Sequence, residues 1–196
     1  MAAPKVDDEQ VLAQLTEVFQ LHGYEGASLS RLSAATGLQR ASLYHRFPGG
    51  KEEMAAAVLR RAVEWLDAHV LTPLRGGGSP AARVQHMADR LDEFYHRGGR
   101  SCLLNTMSFG GDQGLFHQHI RDAVQVWLGA MAEVAVEAGL GPEMARRRAQ
   151  EALVRIQGSL VLARAAGNTE PFQHALAELP ALLTGNAGSG EVAKPH

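Results

Sequence analysis

Apolar residues recur at intervals of three and four along most of the chain, which is the period of an amphipathic helix. The first such stripe consists of Val11, Leu12, Leu15, Val18 and Phe19. Glycine and proline interrupt the periodic segments, and alternating β-branched segments are nearly absent. The pattern therefore predicts an all-α protein with about nine helices. The predicted helices cover residues 7–22, 29–36, 40–47, 50–71, 80–96, 102–109, 113–138, 142–166 and 171–183.

The second and third predicted helices, 29–36 and 40–47, are short and are joined by a tight turn at Gly37. Leu43 and Phe47 are spaced four apart and give the third helix one apolar face. A helix of this length is not stable by itself, so these two side chains must hold it against the preceding helices. Two short helices around a glycine-containing turn are typical of a helix-turn-helix motif.

The other side chains of the third helix are expected to face away from the core. Glutamine and arginine there can bond base edges in the major groove, and serine and tyrosine hydroxyls suit phosphate oxygens. Lys51 opens the fourth helix, whose free N–H groups favour an anion such as a DNA phosphate. Tyr44 and His45 could instead be ordinary surface or packing residues. The predicted DNA contacts are Ser28, Arg31, Gln39, Arg40, Ala41, Ser42, Tyr44, His45 and Lys51.

The charge distribution supports these DNA contacts only in one segment of the chain. The formal net charge of the whole chain is −2, but residues 22–61 carry six basic side chains against three acidic ones. Residues 1–21 carry one basic side chain against four acidic ones. The single cysteine excludes a disulfide within the chain, and neither an apolar signal core nor a membrane-length apolar run is present. We therefore expect a cytoplasmic protein with no membrane partner.

The stretch VLAQLTEVFQLHGYEGASLSRLSAATGLQRASLYHRFPGGKEEMAAAVL closely resembles the DNA-binding domain of TetR-family repressors. The Phe-Pro-Gly-Gly-Lys-Glu-Glu form and the later stretch IQGSLVLARAAGNTEPFQHALAELPALL are similar to the LmrA/YxaF-like branch. Ala41 departs from the glycine that many members have, which is expected to alter the groove fit slightly. The resemblance implies a homodimeric repressor that binds a pseudo-palindromic operator and is released by a ligand.

This resemblance also implies a division of the chain. Residues 1–50 are predicted to form the helix-turn-helix DNA-binding domain, and residues 51–184 a helical domain for ligand binding and dimerisation. Residues 185–196 are glycine-rich and polar and are predicted to be a disordered tail. The helix at 50–71 would connect the DNA-binding part to the sensing part as one stiff rod.

The helix at 142–166 is apolar on two faces, so we expect it to be buried on both. One stripe runs through Ala152, Ile156 and Leu160, and the other through Val154, Gly158, Val161, Leu162 and Ala165. The family uses its last two helices as a dimer interface, although one thicker core would explain the same pattern. The predicted interface residues are Ala152, Ile156, Ser159, Leu160, Ala163, Phe172, Leu176 and Leu179.

Aromatic and methionine side chains in the middle helices are typical of a pocket for a small hydrophobic or aromatic effector. Each of them could instead be an ordinary core or surface residue. The predicted pocket residues are Trp65, Leu66, His69, Leu91, Phe94, Tyr95, Leu104, Met107, Phe109, Phe116, Trp127 and Met131.

Catalytic and cofactor chemistry find little support in the sequence. His117 and His119 are two apart on a predicted helix and do not share a face, so we predict no metal site there. Cys102 lies beside two leucines, which favours a buried inert thiol over a redox switch. No nucleophile motif or phosphate-binding loop is present, so we predict no catalytic residues and no cofactor. A small helical transferase, and a helical small-molecule-binding or adaptor protein without operator binding, remain the alternatives.

Overall fold

The computed structural model describes residues 7–108 and 116–185. Within these two ranges the chain forms nine α-helices of six or more residues and no β-strand, as the sequence pattern predicted. The helices are α1 (Asp8–Gly26), α2 (Leu29–Thr36), α3 (Arg40–Arg46), α4 (Gly50–Leu66), α5 (Pro80–Phe94), α6 (Leu103–Ser108), α7 (His117–Glu137), α8 (Pro142–Ala166) and α9 (Glu170–Thr184). Residues 109–115, which include parts of two predicted helices, and the predicted disordered residues 186–196 lie outside the described ranges.

The first helix differs from its predicted end at residue 22. Gly23 breaks the α-geometry with φ 64° and ψ −177°, and the chain then makes one more turn to Gly26. The Ala27 N–H closes this turn on the Gly23 carbonyl oxygen at 3.2 Å. A Cβ atom at Gly23 would lie 3.0 Å from the carbonyl oxygen of Thr106, so the break also allows a close approach of α6.

The predicted continuous helix at 50–71 is wrong over its last turn. The α-geometry ends at Leu66, and Asp67–Leu71 form a π-helical turn followed by a single α-turn at Thr72–Leu74. Pro73 supplies the physical reason, because it has no N–H to give to the carbonyl of His69 and its ring crowds that carbonyl. Widening the preceding turn relieves this conflict. The predicted stiff rod is therefore interrupted at residue 67.

The chain divides into two compact units, the first made of Met1–Asp67 with Arg100–Val124. Its described part contains α1 to α4, α6 and the beginning of α7. Polar contacts tie α1 to the segment before α6: Glu17 pairs with Arg100 at 3.1 Å, and Gln20 Nε2 donates to the Ser101 carbonyl at 3.1 Å. The largest buried side chains of this unit are Leu15, Phe19, Leu32, Leu43 and Met54.

The second unit consists of Ala68–Gly99 and Gln125–His196, and its described part contains α5, the rest of α7, α8 and α9. The buried Arg83 holds the loop that precedes α5. Its guanidinium donates to the carbonyls of Leu74 and Gly76, both at 3.0 Å, and pairs with Glu137. The largest buried side chains of this unit are Leu74, Met87, Leu91, Tyr95, Met131, Ile156 and Phe172. These two units are defined by packing. The predicted boundaries of the functional domains, after residues 50 and 184, stay predictions.

No helix among the described residues has the length and apolar character needed to cross a membrane.

A left-handed turn follows α5 in the second unit. His96, Arg97 and Gly98 have φ values of 48°, 60° and 93°, so three successive residues lie in the region that side chains disfavour. A Cβ atom at Gly98 would lie 2.8 Å from the Cβ atom of Phe172. Glycine is therefore required at position 98 for both its backbone conformation and its contact with α9.

We expect Gly98→Ala to lower the free energy of unfolding by roughly 2–4 kcal/mol, because left-handed strain and overpacking both apply. Gly129→Ala is the matched control, since Gly129 lies inside α7 with open space around its Cβ position. That change should raise the free energy of unfolding by about 0.5–1 kcal/mol through helix propensity. Urea unfolding followed by circular dichroism measures both, and equal effects of the two substitutions would contradict the account.

Candidate nucleic-acid interface

Small side chains close the turn between α2 and α3. Thr36 Oγ1 donates to the Leu32 carbonyl oxygen at 2.8 Å, and the Ser33 hydroxyl donates to the Leu38 carbonyl oxygen. Gly37 between them has φ 66°, which glycine adopts without strain. These contacts fix the direction in which the chain leaves α2 and enters α3, and they give the motif its sharp turn.

The third helix is held by one fully buried side chain, Leu43, and by the half-buried Phe47 that follows its last turn. The Phe47 N–H donates to the Leu43 carbonyl oxygen at 2.8 Å and closes the helix. Six of the predicted DNA contacts on and just before this helix are exposed together: Gln39, Arg40, Ala41, Ser42, Tyr44 and His45.

Arg46 does not face outward as the sequence pattern predicted. Its guanidinium pairs with Asp8 in the first turn of α1, and its side chain is only 24% exposed. On α4, Arg61 Nη2 pairs in the same way with Glu9 Oε1 at 3.4 Å. The acidic start of α1 therefore neutralises two arginines of the basic segment. The sequence showed these acids only as ordinary charges at a helix start, which is why the pairing was missed.

The start of α4 packs against α3, which takes the place of the recognition helix in a helix-turn-helix motif. Gly50 has φ 67°, and a Cβ atom there would lie 3.1 Å from Cε1 of Tyr44. The Gly49 N–H donates to Glu53 Oε2 at 2.7 Å, so this N–H is already bonded to a carboxylate. The N-terminus of α4 thus offers fewer free N–H groups to a phosphate than predicted, and the Lys51 ammonium is its main cationic group.

Tyr24 holds the Lys51 side chain. Lys51 Nζ donates to the Tyr24 carbonyl oxygen at 3.0 Å and lies 4.2 Å from the centroid of the Tyr24 ring. Burial, and then the nearby charges of Glu52 and Glu25, raise the pKa of the Tyr24 phenol above its ordinary value of 10.0, so the ring stays neutral. The sequence analysis did not identify Tyr24 as a site residue, although an aromatic directly after a helix-breaking glycine was a usable signal.

Two further predicted DNA contacts lie at the start of α2 and are exposed. Ser28 Oγ accepts the Arg31 N–H at 3.3 Å, which makes Ser28 the N-cap of the helix. Arg31 Nη1 donates to the Gly26 carbonyl oxygen at 3.5 Å. Both side chains therefore have a structural partner within the motif as well as a predicted role at DNA.

The predicted effector residues fall in both compact units. Phe109 lies outside the described residues, and of the others His69 is exposed while Trp65 and Phe94 are half-buried. The rest are buried. The first unit contains Trp65, Leu66, Leu104, Met107 and Phe116, and the second contains His69, Leu91, Phe94, Tyr95, Trp127 and Met131. Their role in binding an effector stays a prediction.

The predicted dimer-interface residues pack inside the second unit of the single chain. Their exposed fractions range from 0% for Ile156 to 6% for Ser159, because the faces of α8 and α9 on which they lie pack against each other. The assignment of these residues to a dimer interface stays a prediction: Ala152, Ile156, Ser159, Leu160, Ala163, Phe172, Leu176 and Leu179. The other apolar stripe of α8 is the exposed one, with Val154 at 71%, Val161 at 53% and Leu162 at 60% exposure.

The histidines that raised the possibility of a metal site, His117 and His119, are both exposed at the start of α7. His117 Nδ1 lies 3.2 Å from Nη2 of Arg121. Among the residues described, no three histidine, cysteine or acidic side chains come together in a way that could hold a metal ion. Cys102 is buried, at 3% exposure.

These features together are those of a helix-turn-helix DNA-binding protein. The helix α3 is exposed and polar on its outer side, the glycine turn before it is closed by hydrogen bonds, and α1 pairs with it through Asp8 and Arg46. Residues 11–58 match the family model for bacterial regulatory proteins of the tetR family. Residues 80–178 match the model for the C-terminal domain of LmrA/YxaF-like transcriptional regulators. The chain belongs to the TetR family of transcriptional regulators, in its LmrA/YxaF-like branch, and it is a DNA-binding regulator of transcription.

Individual relatives agree with this assignment. The HTH-type transcriptional regulator LmrA of Bacillus subtilis is 25% identical over 184 residues, which cover 89% of this chain and 95% of LmrA. The HTH-type transcriptional repressor AcnR of Corynebacterium efficiens is 40% identical over 52 residues, or 26% of this chain and 27% of AcnR. A crystal structure of a TetR transcriptional regulator from Legionella pneumophila has the same fold, with a TM-score of 0.78, 19% identity and coverage of 90% and 97% of the two chains.

Base-reading and phosphate-binding side chains are expected to respond differently to substitution. Arg40→Ala should weaken operator binding by about 1–3 kcal/mol and relax the preference at particular base pairs, because arginine bonds base edges bidentately. Lys51→Ala should weaken binding to all sequences alike and reduce the salt slope of the association constant by about one unit. Fluorescence anisotropy with specific and random duplexes at several salt concentrations measures both effects.

Arg60→Ala is the matched control, because it also removes one positive charge. Arg60 is exposed on α4 and pairs with Glu64 at 4.0 Å. This change should affect the base preference less than Arg40→Ala does, and the salt slope less than Lys51→Ala does. An equal loss on specific and random DNA for Arg40→Ala would contradict its assignment as a base-reading residue.

Proposed function

We propose that the protein is a homodimeric repressor that leaves a pseudo-palindromic operator when it binds a small hydrophobic or aromatic molecule. The observation that carries the DNA-binding part is the exposed polar face of α3, held on its other side by Leu43. Repression is supported by the similarity of the DNA-binding segment to the AcnR repressor. Residues 1–50 would read DNA, and residues 51–184 would dimerise and sense the effector.

On DNA, Gln39 and Arg40 begin the recognition helix, where side chains of this motif reach base edges. Ser42 and Tyr44 present hydroxyl groups on the same exposed face, and these suit phosphate oxygens. Lys51 supplies a positive charge where the backbone of the duplex would pass. Arg46 is left out of the proposed contact set because Asp8 already pairs with it.

Dimerisation is supported by the exposed apolar stripe of α8. Three branched side chains, Val154, Val161 and Leu162, are each more than half exposed, with the exposed Gly158 and Ala165 between and beyond them. A contiguous apolar patch on one helix marks an interaction surface, and glycine in its middle lets a second helix approach closely. We therefore assign the dimer contact to this stripe instead of the buried one.

Effector binding is supported by the chemistry of the buried side chains. Phe116 and Met107 in the first unit, and Trp127 and Met131 in the second, are buried side chains that carry aromatic rings or flexible thioethers, which suit a hydrophobic or aromatic guest. A ligand can release DNA only if it binds the DNA-incompatible conformation more tightly than the DNA-bound one. We propose no catalytic activity and no cofactor, in keeping with a family of regulators.

Footprinting on the DNA upstream of the protein's own gene tests the proposed function. We expect one protected pseudo-palindrome whose half-sites are about 34–36 Å apart, one turn of B-DNA, because two α3 helices would be related by a twofold axis. Titrating hydrophobic aromatic compounds into the same complex should remove the protection. Binding that is equally strong on every duplex would favour a helical protein without an operator.

The dimer surface is tested by placing charge on the exposed stripe. The double substitution Val161→Glu and Leu162→Glu should convert the dimer to a monomer, since like charges would face each other across a twofold contact. Operator affinity should fall with it. Val136→Glu is the control, because Val136 is 44% exposed on α7 and lies outside the stripe. Light scattering after gel filtration reads the mass, and an unchanged dimer in the double variant would refute the assignment.

A further inference from the structure

Tyr24 is the centre of an aromatic cluster in the first unit. Its ring is stacked with that of Phe19, with centroids 6.5 Å apart and planes at 7°. The Phe116 ring meets it edge-on, with centroids 5.4 Å apart and planes at 71°. Lys51 Nζ lies 4.2 Å from the same ring centroid. One tyrosine side chain therefore contacts α1, the residue preceding α7 and the first turn of α4.

The way in which Lys51 is held differs from the way in which the nearby arginines are held. Arg46 and Arg61 each face a carboxylate, so their charges are neutralised. Within the described ranges Lys51 forms no salt bridge, and its ammonium contacts a neutral carbonyl and a neutral ring. Its orientation is therefore fixed while its positive charge remains available to an incoming phosphate.

We propose that Tyr24 is a positioning residue of the DNA interface, which holds the Lys51 ammonium ready for a phosphate, and that Phe116 sets the place of its ring. The proposal rests on the proposed function, because it assumes that Lys51 contacts DNA. A flexible lysine loses conformational freedom when it binds, and a lysine already held by a ring and a carbonyl loses less.

Phe116 gives this arrangement a regulatory consequence. It is buried in the first unit and is one of the predicted effector residues. An aromatic molecule that displaced the Phe116 ring would remove the edge contact that supports the Tyr24 ring, and the ammonium of Lys51 would then lose its ring contact and keep only its bond to the Tyr24 carbonyl oxygen. Release would thus weaken a phosphate contact directly, and this route does not require α4 to act as a stiff rod beyond Leu66.

A double-mutant cycle tests the positioning role on a random-sequence DNA duplex, since phosphate contacts do not depend on sequence. Tyr24→Phe keeps the ring and should bind like the wild type. Tyr24→Leu should bind about 2–5-fold more weakly, the loss that an exposed cation–π contact predicts. Phe116→Leu should bind more weakly for the same reason.

The decisive comparison is between the effects of Tyr24→Leu in two backgrounds, Lys51→Ala and Arg60→Ala. In the Lys51→Ala variant, Tyr24→Leu should cause no further loss of affinity. In the Arg60→Ala variant it should cause its full loss, because Arg60 lies on the same helix and pairs with Glu64. Equal losses in both backgrounds would mean that Tyr24 supports only the fold, and the proposal would be overturned.

A series that barely changes packing guards against simple unfolding of Tyr24→Leu. Phenylalanines with increasing fluorination, incorporated at position 24, progressively weaken the cation–π contact while nearly keeping the ring's shape. DNA affinity should fall along the series, and a constant affinity would overturn the proposal. A wild-type protein that binds no duplex at all would instead refute the proposed function, so the two failures are distinguishable.

Discussion

The exposed face of α3 exists because Leu43 is fully buried. A helix of seven residues has too few hydrogen bonds to offset the cost of nucleation, and its outward polar side chains add no packing energy. Its stability therefore comes from the contacts of Leu43 and from the turn closed by Gly37 and Thr36. The exposed side chains of α3, which we propose to contact DNA, therefore depend mainly on this one buried leucine.

Much of the fold was predictable because local signals and packing agree. Ser28 caps α2, Gly37 ends it in a left-handed conformation, and Leu43 lies on the buried face of α3, as spacing alone indicated. The bounds of α2 and α8 match their predictions, since a cap or proline starts each helix and glycine follows it. At such positions the residue type itself restricts the backbone.

Other features depend on partners distant in sequence, and spacing could not reveal them. Arg46 lies on the predicted outward side of α3, yet Asp8 is 38 residues away and turns it toward α1. The two apolar stripes of α8 look alike in the sequence, and only the packing of α9 shows which of them is covered. The pairing of Lys51 with Tyr24 is of the same kind, because the two residues are 27 positions apart in the sequence.

The acidic start of α1 has a consequence for kinetics. Residues 1–61 carry seven basic and seven acidic side chains, and Arg46 and Arg61 are already paired with acids of α1. Because residues 1–61 carry no net formal charge, we expect them to generate little long-range attraction toward a polyanion, so that encounters with DNA proceed without strong electrostatic steering. Ionic strength then acts mainly on the rate of dissociation, after the phosphate contacts have formed. We therefore expect the occupancy of an operator to depend on residence time more than on the rate of arrival.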